Sequence, residues 1–185
     1  MINSKKALFL FLLFYCGFFF VSGVYHLILL ATIIAVLGKD YICKSGKISV
    51  WQCGLSAVGG AVVYVAAKFL VQTLSVPGGY TAADFDFNAL FFIKALILVP
   101  VAEELLFRGC LADVFSGFML HFFVPLSTIL FASVHLYQGL GGVIFAAVCG
   151  AALSFTYKMK KNIIFSVIMH SFINLGGCLD CIFFD

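Results

Sequence analysis

Six long apolar stretches, at residues 7–37, 50–74, 88–116, 122–137, 140–157 and 162–179, fill most of this chain. Most are close to, or longer than, the roughly 20 residues a helix needs to cross a bilayer. An open sheet leaves its edge groups unpaired in hydrocarbon, and the alternation of an outer-membrane barrel is absent, so each stretch reads as helix. Composition agrees. Hydrophobic residues make up 64% of the chain and charged ones 10%, against about 25% charged in a soluble domain. That leaves nothing to build a solvated surface, so the deficit must face lipid. The expected fold class is all-α: a single-domain, polytopic transmembrane helical bundle with about 6–7 membrane segments. No linker, low-complexity tract or repeat divides it. Residues 1–89 supply N-terminal membrane helices without a specific motif, and residues 90–181 carry the polar motifs described below.

The few charges sort by loop. Lys39, Lys44 and Lys47 share one loop and Lys158, Lys160 and Lys161 another, whereas the loop 75–88 carries Asp84 and Asp86. Positive residues favour the cytoplasm, so loops 38–49 and 158–161 are expected inside and 75–88 outside. The number of helices between these loops fits that assignment. Lys68 and Lys94 fall near the outer boundary, where long side chains can snorkel. The first stretch reads as a retained membrane segment rather than a cleaved signal, because it runs on to Leu37. With Lys5 and Lys6 also inside, a hairpin breaking near Ser22-Gly23 satisfies the charge rule better than one long helix. The net charge of +3 is small and dispersed, so no nucleic-acid footprint is present. The compact chain points to a bacterial cell membrane, with the lipid bilayer as its first partner.

Seven Cys, mostly isolated within apolar stretches, read as small hydrophobes. The lone Cys178-x-x-Cys181 pair is weak evidence for zinc or redox chemistry.

Against this background, ionisable groups inside apolar stretches stand out, because burying a charge in the bilayer costs roughly 2.5–3.5 kcal/mol and usually marks function. The first group is Pro100-Val-Ala-Glu103-Glu104-Leu-Leu-Phe-Arg108-Gly109. Pro100 removes a backbone donor, so a helix is expected to break and restart there, with Glu103 and Glu104 in its first turn. Glu104 and Arg108, four apart, share a face and can pair; Glu103 is rotated away and left free. A structural ion pair would explain Glu104 and Arg108 but not Glu103. The second group is Phe131-x-x-x-His135, with Phe131 packing beneath the imidazole. The third is His170-Ser-Phe-Ile-Asn174, whose His and Asn project one turn apart. His26 and His121 lie in no motif and are not expected to be ligands.

Antiparallel packing about a turn at 117–121 brings Glu103 and His135 to similar depth. His170 fits less well, with a mismatch of about 9 Å at the helical rise per residue; tilt or a break must absorb it. A carboxylate and imidazoles converging in a dry pocket suggest hydrolysis. Glu103 can take a proton from water as general base, His135 can orient that water, and His170 and Asn174 can donate to the oxyanion of a tetrahedral intermediate. Alternatively Glu103, His135 and His170 supply the three ligands of a catalytic zinc site. The spacing does not choose between them.

These three motifs, Glu103-Glu104-x3-Arg108, Phe131-x3-His135 and His170-x3-Asn174, occur in this order on successive hydrophobic helices. The pattern resembles the type II CAAX prenyl endopeptidase and bacteriocin-processing family of intramembrane proteases over roughly residues 95–180. Each motif alone is weak, and their conjunction with Phe107-Arg108-Gly109 and Pro100 is specific. The resemblance implies that Glu103 and His135 activate water, that His170 and Asn174 are oxyanion donors, and that Glu104 and Arg108 support the site. It also implies no obligatory metal, although family names often say metalloprotease. The implied substrate is a membrane-associated peptide or protein: prenylated and CAAX-like, or a bacteriocin or other peptide precursor. Two other classes fit the buried polar residues: an ion- or proton-coupled transporter, and a non-proteolytic membrane scaffold or self-immunity protein.

Overall fold

The computed structural model describes residues 3–42, 45–77, 86–115 and 121–184. Among these residues the chain is helical and contains no strand. Seven helices follow in order: α1 (Ser4–Phe20), α2 (Gly23–Tyr41), α3 (Val50–Thr73), α4 (89–114), α5 (Phe123–Ser133), α6 (Gly139–Lys160) and α7 (Ile163–Phe183). The spans Val24–Tyr41, Val50–Thr73, Leu136–Lys160 and Ile163–Phe183 are each long and apolar enough to cross a membrane. Large apolar side chains such as Phe9, Phe20, Val50, Trp51, Phe69 and Phe184 are exposed on the outside of the bundle. Such a surface is stable only against lipid, so this is an integral membrane protein.

The first apolar stretch forms two helices, parted at Val21-Ser22. They run antiparallel. Phe18 meets His26 near the break, with ring centroids 5.8 Å apart. At their other ends both reach the same part of α4: Cys110 Sγ donates to the Ala7 carbonyl (3.1 Å), and Tyr41 Oη donates to Asp113 Oδ2 (2.9 Å).

α4 is the centre of the molecule. Residues 102–111 are all buried, as expected of a helix enclosed on every side. The α1–α2 hairpin covers one flank and α5, α6 and α7 the other, while α3 packs on α6 and α7 from outside. At the α3–α7 crossing a β-carbon on Gly60 would lie 2.3 Å from the Met169 carbonyl oxygen, so only glycine admits this approach.

Two contacts fix the ends of the bundle. Asn162 Nδ2 lies 3.4 Å from the Gly46 carbonyl, and the Gly141 amide donates to the Pro77 carbonyl (3.0 Å). Residues 141 and 162 sit at opposite ends of α6, so the two lysine-bearing loops share one end and Pro77 belongs to the other. Lys44, Asp84 and the 117–120 part of the expected turn lie outside the described residues. The tight α6–α7 connection uses Lys161 in the left-handed region (φ 52°) and Asn162, whose side chain accepts from the Ile164 amide as N-cap.

Lys68 does more than snorkel: its ammonium pairs with Asp180, tying α3 to α7. Cys178 and Cys181 both lie within α7, and neither is in a disulfide.

Candidate active site

Pro100 does not break α4. The helix continues through it with two wide, π-type turns, Lys94–Leu98 and Leu105–Cys110, on either side of an α-helical segment Val99–Glu104. Wide turns of this kind occur mostly at functional positions. Glu103 and Glu104 are therefore mid-helix residues, without the free amides and dipole of a helix start.

Each wide turn strands carbonyls, and the sequence supplies their donors from other helices. The Val99 amide bonds back to Lys94, which takes from Ala95 its usual partner four residues on. Five residues on from Ala95, and four on from Leu96, stands Pro100, which has no N–H. Asn174 Nδ2 donates to the Ala95 carbonyl (2.8 Å) and Ser171 Oγ to that of Leu96 (2.8 Å), both from α7. At the second turn the Leu111 amide bonds to Leu106, releasing the Phe107 carbonyl. Ser127 Oγ of α5 takes it at 3.0 Å, backed by Ser154 of α6 at 3.0 Å. The side chains of α5 and α7 thus replace what the ladder of α4 lacks.

Between these turns lies a buried polar cluster. Arg108 Nη1 donates to Glu104 Oε1 (2.9 Å) as the spacing predicts, and Nη2 donates to the Gly150 carbonyl of α6 (3.1 Å). Both side chains are fully enclosed. His170 Nδ1 approaches the same Glu104 oxygen at 2.9 Å. A carboxylate can only accept here, so Nδ1 carries the proton. The other ring nitrogen, Nε2, then faces Glu103 Oε2 at 3.7 Å. That oxygen is buried and has no hydrogen-bond partner among the described residues, and the same holds for Glu104 Oε2 and Arg108 Nε.

His135 lies just beyond the end of α5, half-buried. Its Nδ1 is 2.9 Å from the Phe131 carbonyl and must donate to it, which leaves Nε2 as an acceptor. Phe131 is the common wall of the cluster. Its ring centroid is 4.9 Å from that of His135 and 5.7 Å from that of His170, and the Arg108 guanidinium carbon stands 4.5 Å from it. The latter distance is that of a cation–π contact.

Of the sequence-predicted residues, Glu103, Glu104, Arg108 and His170 meet directly, His135 joins them across Phe131, and Asn174 holds the backbone of α4 one turn away. His170, the residue with the poorest expected fit, faces both carboxylates, at 2.9 Å from Glu104 and 3.7 Å from Glu103. Sequence reasoning missed Ser171, Ser127 and the Gly150 carbonyl. The signal for Ser171 was present, as a third polar residue in the His170–Asn174 stretch of an otherwise apolar helix. As for zinc, no three His, Cys, Asp or Glu side chains among the described residues are grouped to hold a metal ion. Glu103, His135 and His170 as arranged here do not form that ligand set.

The fold and the cluster together define an integral membrane protein that encloses a carboxylate–imidazole–guanidinium site between its helices. Residues 85–176 match the family model described as type II CAAX prenyl endopeptidase Rce1-like, and the match contains all three motifs. The chain belongs to this family of membrane proteases. Among curated proteins and among solved structures, no significant match is found.

Proposed function

We propose that this protein is an intramembrane endopeptidase that cleaves a membrane-associated peptide, with Glu103 as the base that activates water. The observation that carries this reading is the Glu103 carboxylate itself, buried in the bundle with Oε2 unpartnered among the described residues and 3.7 Å from His170 Nε2. A buried oxygen without a hydrogen bond is costly unless something else occupies the site in use. Water is the simplest such group.

In this reading a water donates to Glu103 while the His135 Nε2 lone pair helps orient it. Its oxygen attacks the scissile carbonyl as the proton passes to Glu103, which then delivers that proton to the leaving amine. The oxyanion is met by the second amide hydrogen of Asn174 and by His170 in its doubly protonated form, the form in which Nε2 donates. Glu104 and Arg108 hold His170 in orientation. No metal is required, and none of these steps is routed through one. The substrate class follows the family: a prenylated, CAAX-like protein or a bacteriocin or peptide precursor. The lysine-bearing end of the bundle, with loops 38–49 and 158–161, faces the cytoplasm of a bacterial cell membrane, and loop 75–88 faces outside.

The test uses purified protein in detergent with a lipidated peptide library. Cleavage should be lost in Glu103→Ala and in His135→Ala and should persist with strong chelators. Cleavage surviving both substitutions overturns the site, and loss to chelators overturns the metal-free mechanism. Ion flux that both variants abolish, without any cleavage, would instead identify a transporter, and neither activity would identify a scaffold.

A further inference from the structure

Ser171 touches neither carboxylate, yet it joins the two elements on which the site depends. It follows His170 directly on α7, and its hydroxyl reaches the Leu96 carbonyl of α4 at 2.8 Å and the Val167 carbonyl at 3.0 Å. A hydroxyl has one proton, so one acceptor must be the principal one. Val167 already lies within a regular helix, where the amide four residues on serves its carbonyl. Leu96 has no such donor, because the residue four on is Pro100. The need of Leu96 therefore decides the bond.

We propose that Ser171 is a positioning residue, clamping the Pro100-generated wide turn of α4 to α7 and so fixing the distance between Glu103 and His170. Glu103 stands three residues beyond Pro100, and His170 is the neighbour of Ser171. Any slip of the turn against α7 changes their separation directly. The kinetic consequence rests on the protease reading above; the clamp itself does not.

The experiment is a double-mutant cycle between residues 100 and 171 in the full chain, read by kcat and KM on a cleaved peptide and by Tm in detergent. Ser171→Ala should lower kcat by up to about 100-fold with KM little changed, and lower Tm by roughly 2–4 °C. Ser171→Thr, which keeps the hydroxyl, should retain both. Pro100→Ala returns an N–H that can serve Leu96, so Ser171→Ala added to it should lose most of its effect. Equal fold-losses in both backgrounds, or an unchanged kcat in Ser171→Ala, overturn the proposal. Should the protein cleave nothing, the protease reading fails while the Tm cycle still decides. A Tm drop for Ser171→Ala confined to the Pro100 background supports the clamp, and equal drops overturn it.

Discussion

Glu104 Oε1 is shared: Arg108 Nη1 and His170 Nδ1 each approach it to 2.9 Å. The guanidinium neutralises the carboxylate, and the carboxylate in turn fixes which nitrogen of His170 carries the proton. In neutral His170 the Nε2 lone pair therefore points at another acceptor, Glu103 Oε2. Two acceptors facing across 3.7 Å need a donor between them, either a bridging water or a shared proton. The supporting ion pair thus sets which atom of His170 faces Glu103.

Glu103→Gln separates catalysis from stability. The amide keeps the shape and can donate to His170 Nε2, so Tm should be unchanged or higher. As removal of a general base costs about 10²–10⁴-fold, peptide cleavage should fall by that factor. A large drop in Tm would show that Glu103 is structural.

Arg108→Ala leaves Glu104 charged, fully enclosed and without its cation. Breaking one partner of a buried pair costs about 3–5 kcal/mol, so thermal melts in detergent should show severe destabilisation. Glu104→Gln combined with Arg108→Met removes both charges and should be milder than Arg108→Ala alone. Additive losses would refute the coupling.

Gly60→Ala would set a methyl carbon 2.3 Å from the Met169 carbonyl, and backbone cannot step aside as a side chain can. α3 and α7 must separate next to His170. A cost of about 1–3 kcal/mol is expected, together with reduced cleavage. Unchanged melting and activity would contradict the close crossing.

Lys68→Ala should do little. The Lys68–Asp180 pair is 33% and 22% exposed and so contributes at most about 1 kcal/mol. Cleavage by the variant should match that of the parent protein, and a loss of activity would connect this end of α7 to the site.

Much of this was legible from local spacing. The i,i+4 relation alone predicts the Glu104–Arg108 pair, and the basic residues at both ends of the first stretch favour the hairpin that forms. The seven helices lie close to the apolar stretches, because lipid enforces helix wherever a stretch is long enough. Pro100 was legible as a missing donor but misread as a helix break. Whether a chain breaks at proline or continues through a wide turn depends on who takes the stranded carbonyls. Here Ser171 and Asn174 take them, from more than seventy residues away in sequence.

The sequence by itself determined that this chain is a helical membrane bundle and which side chains are too polar for lipid, because both follow from the local balance of apolar and charged groups. Only the tertiary structure decided that His170 meets both carboxylates and that α4 stays continuous through its centre. Those outcomes turn on long-range hydrogen bonds that compensate local defects in one helix, and no short window of residues contains both partners.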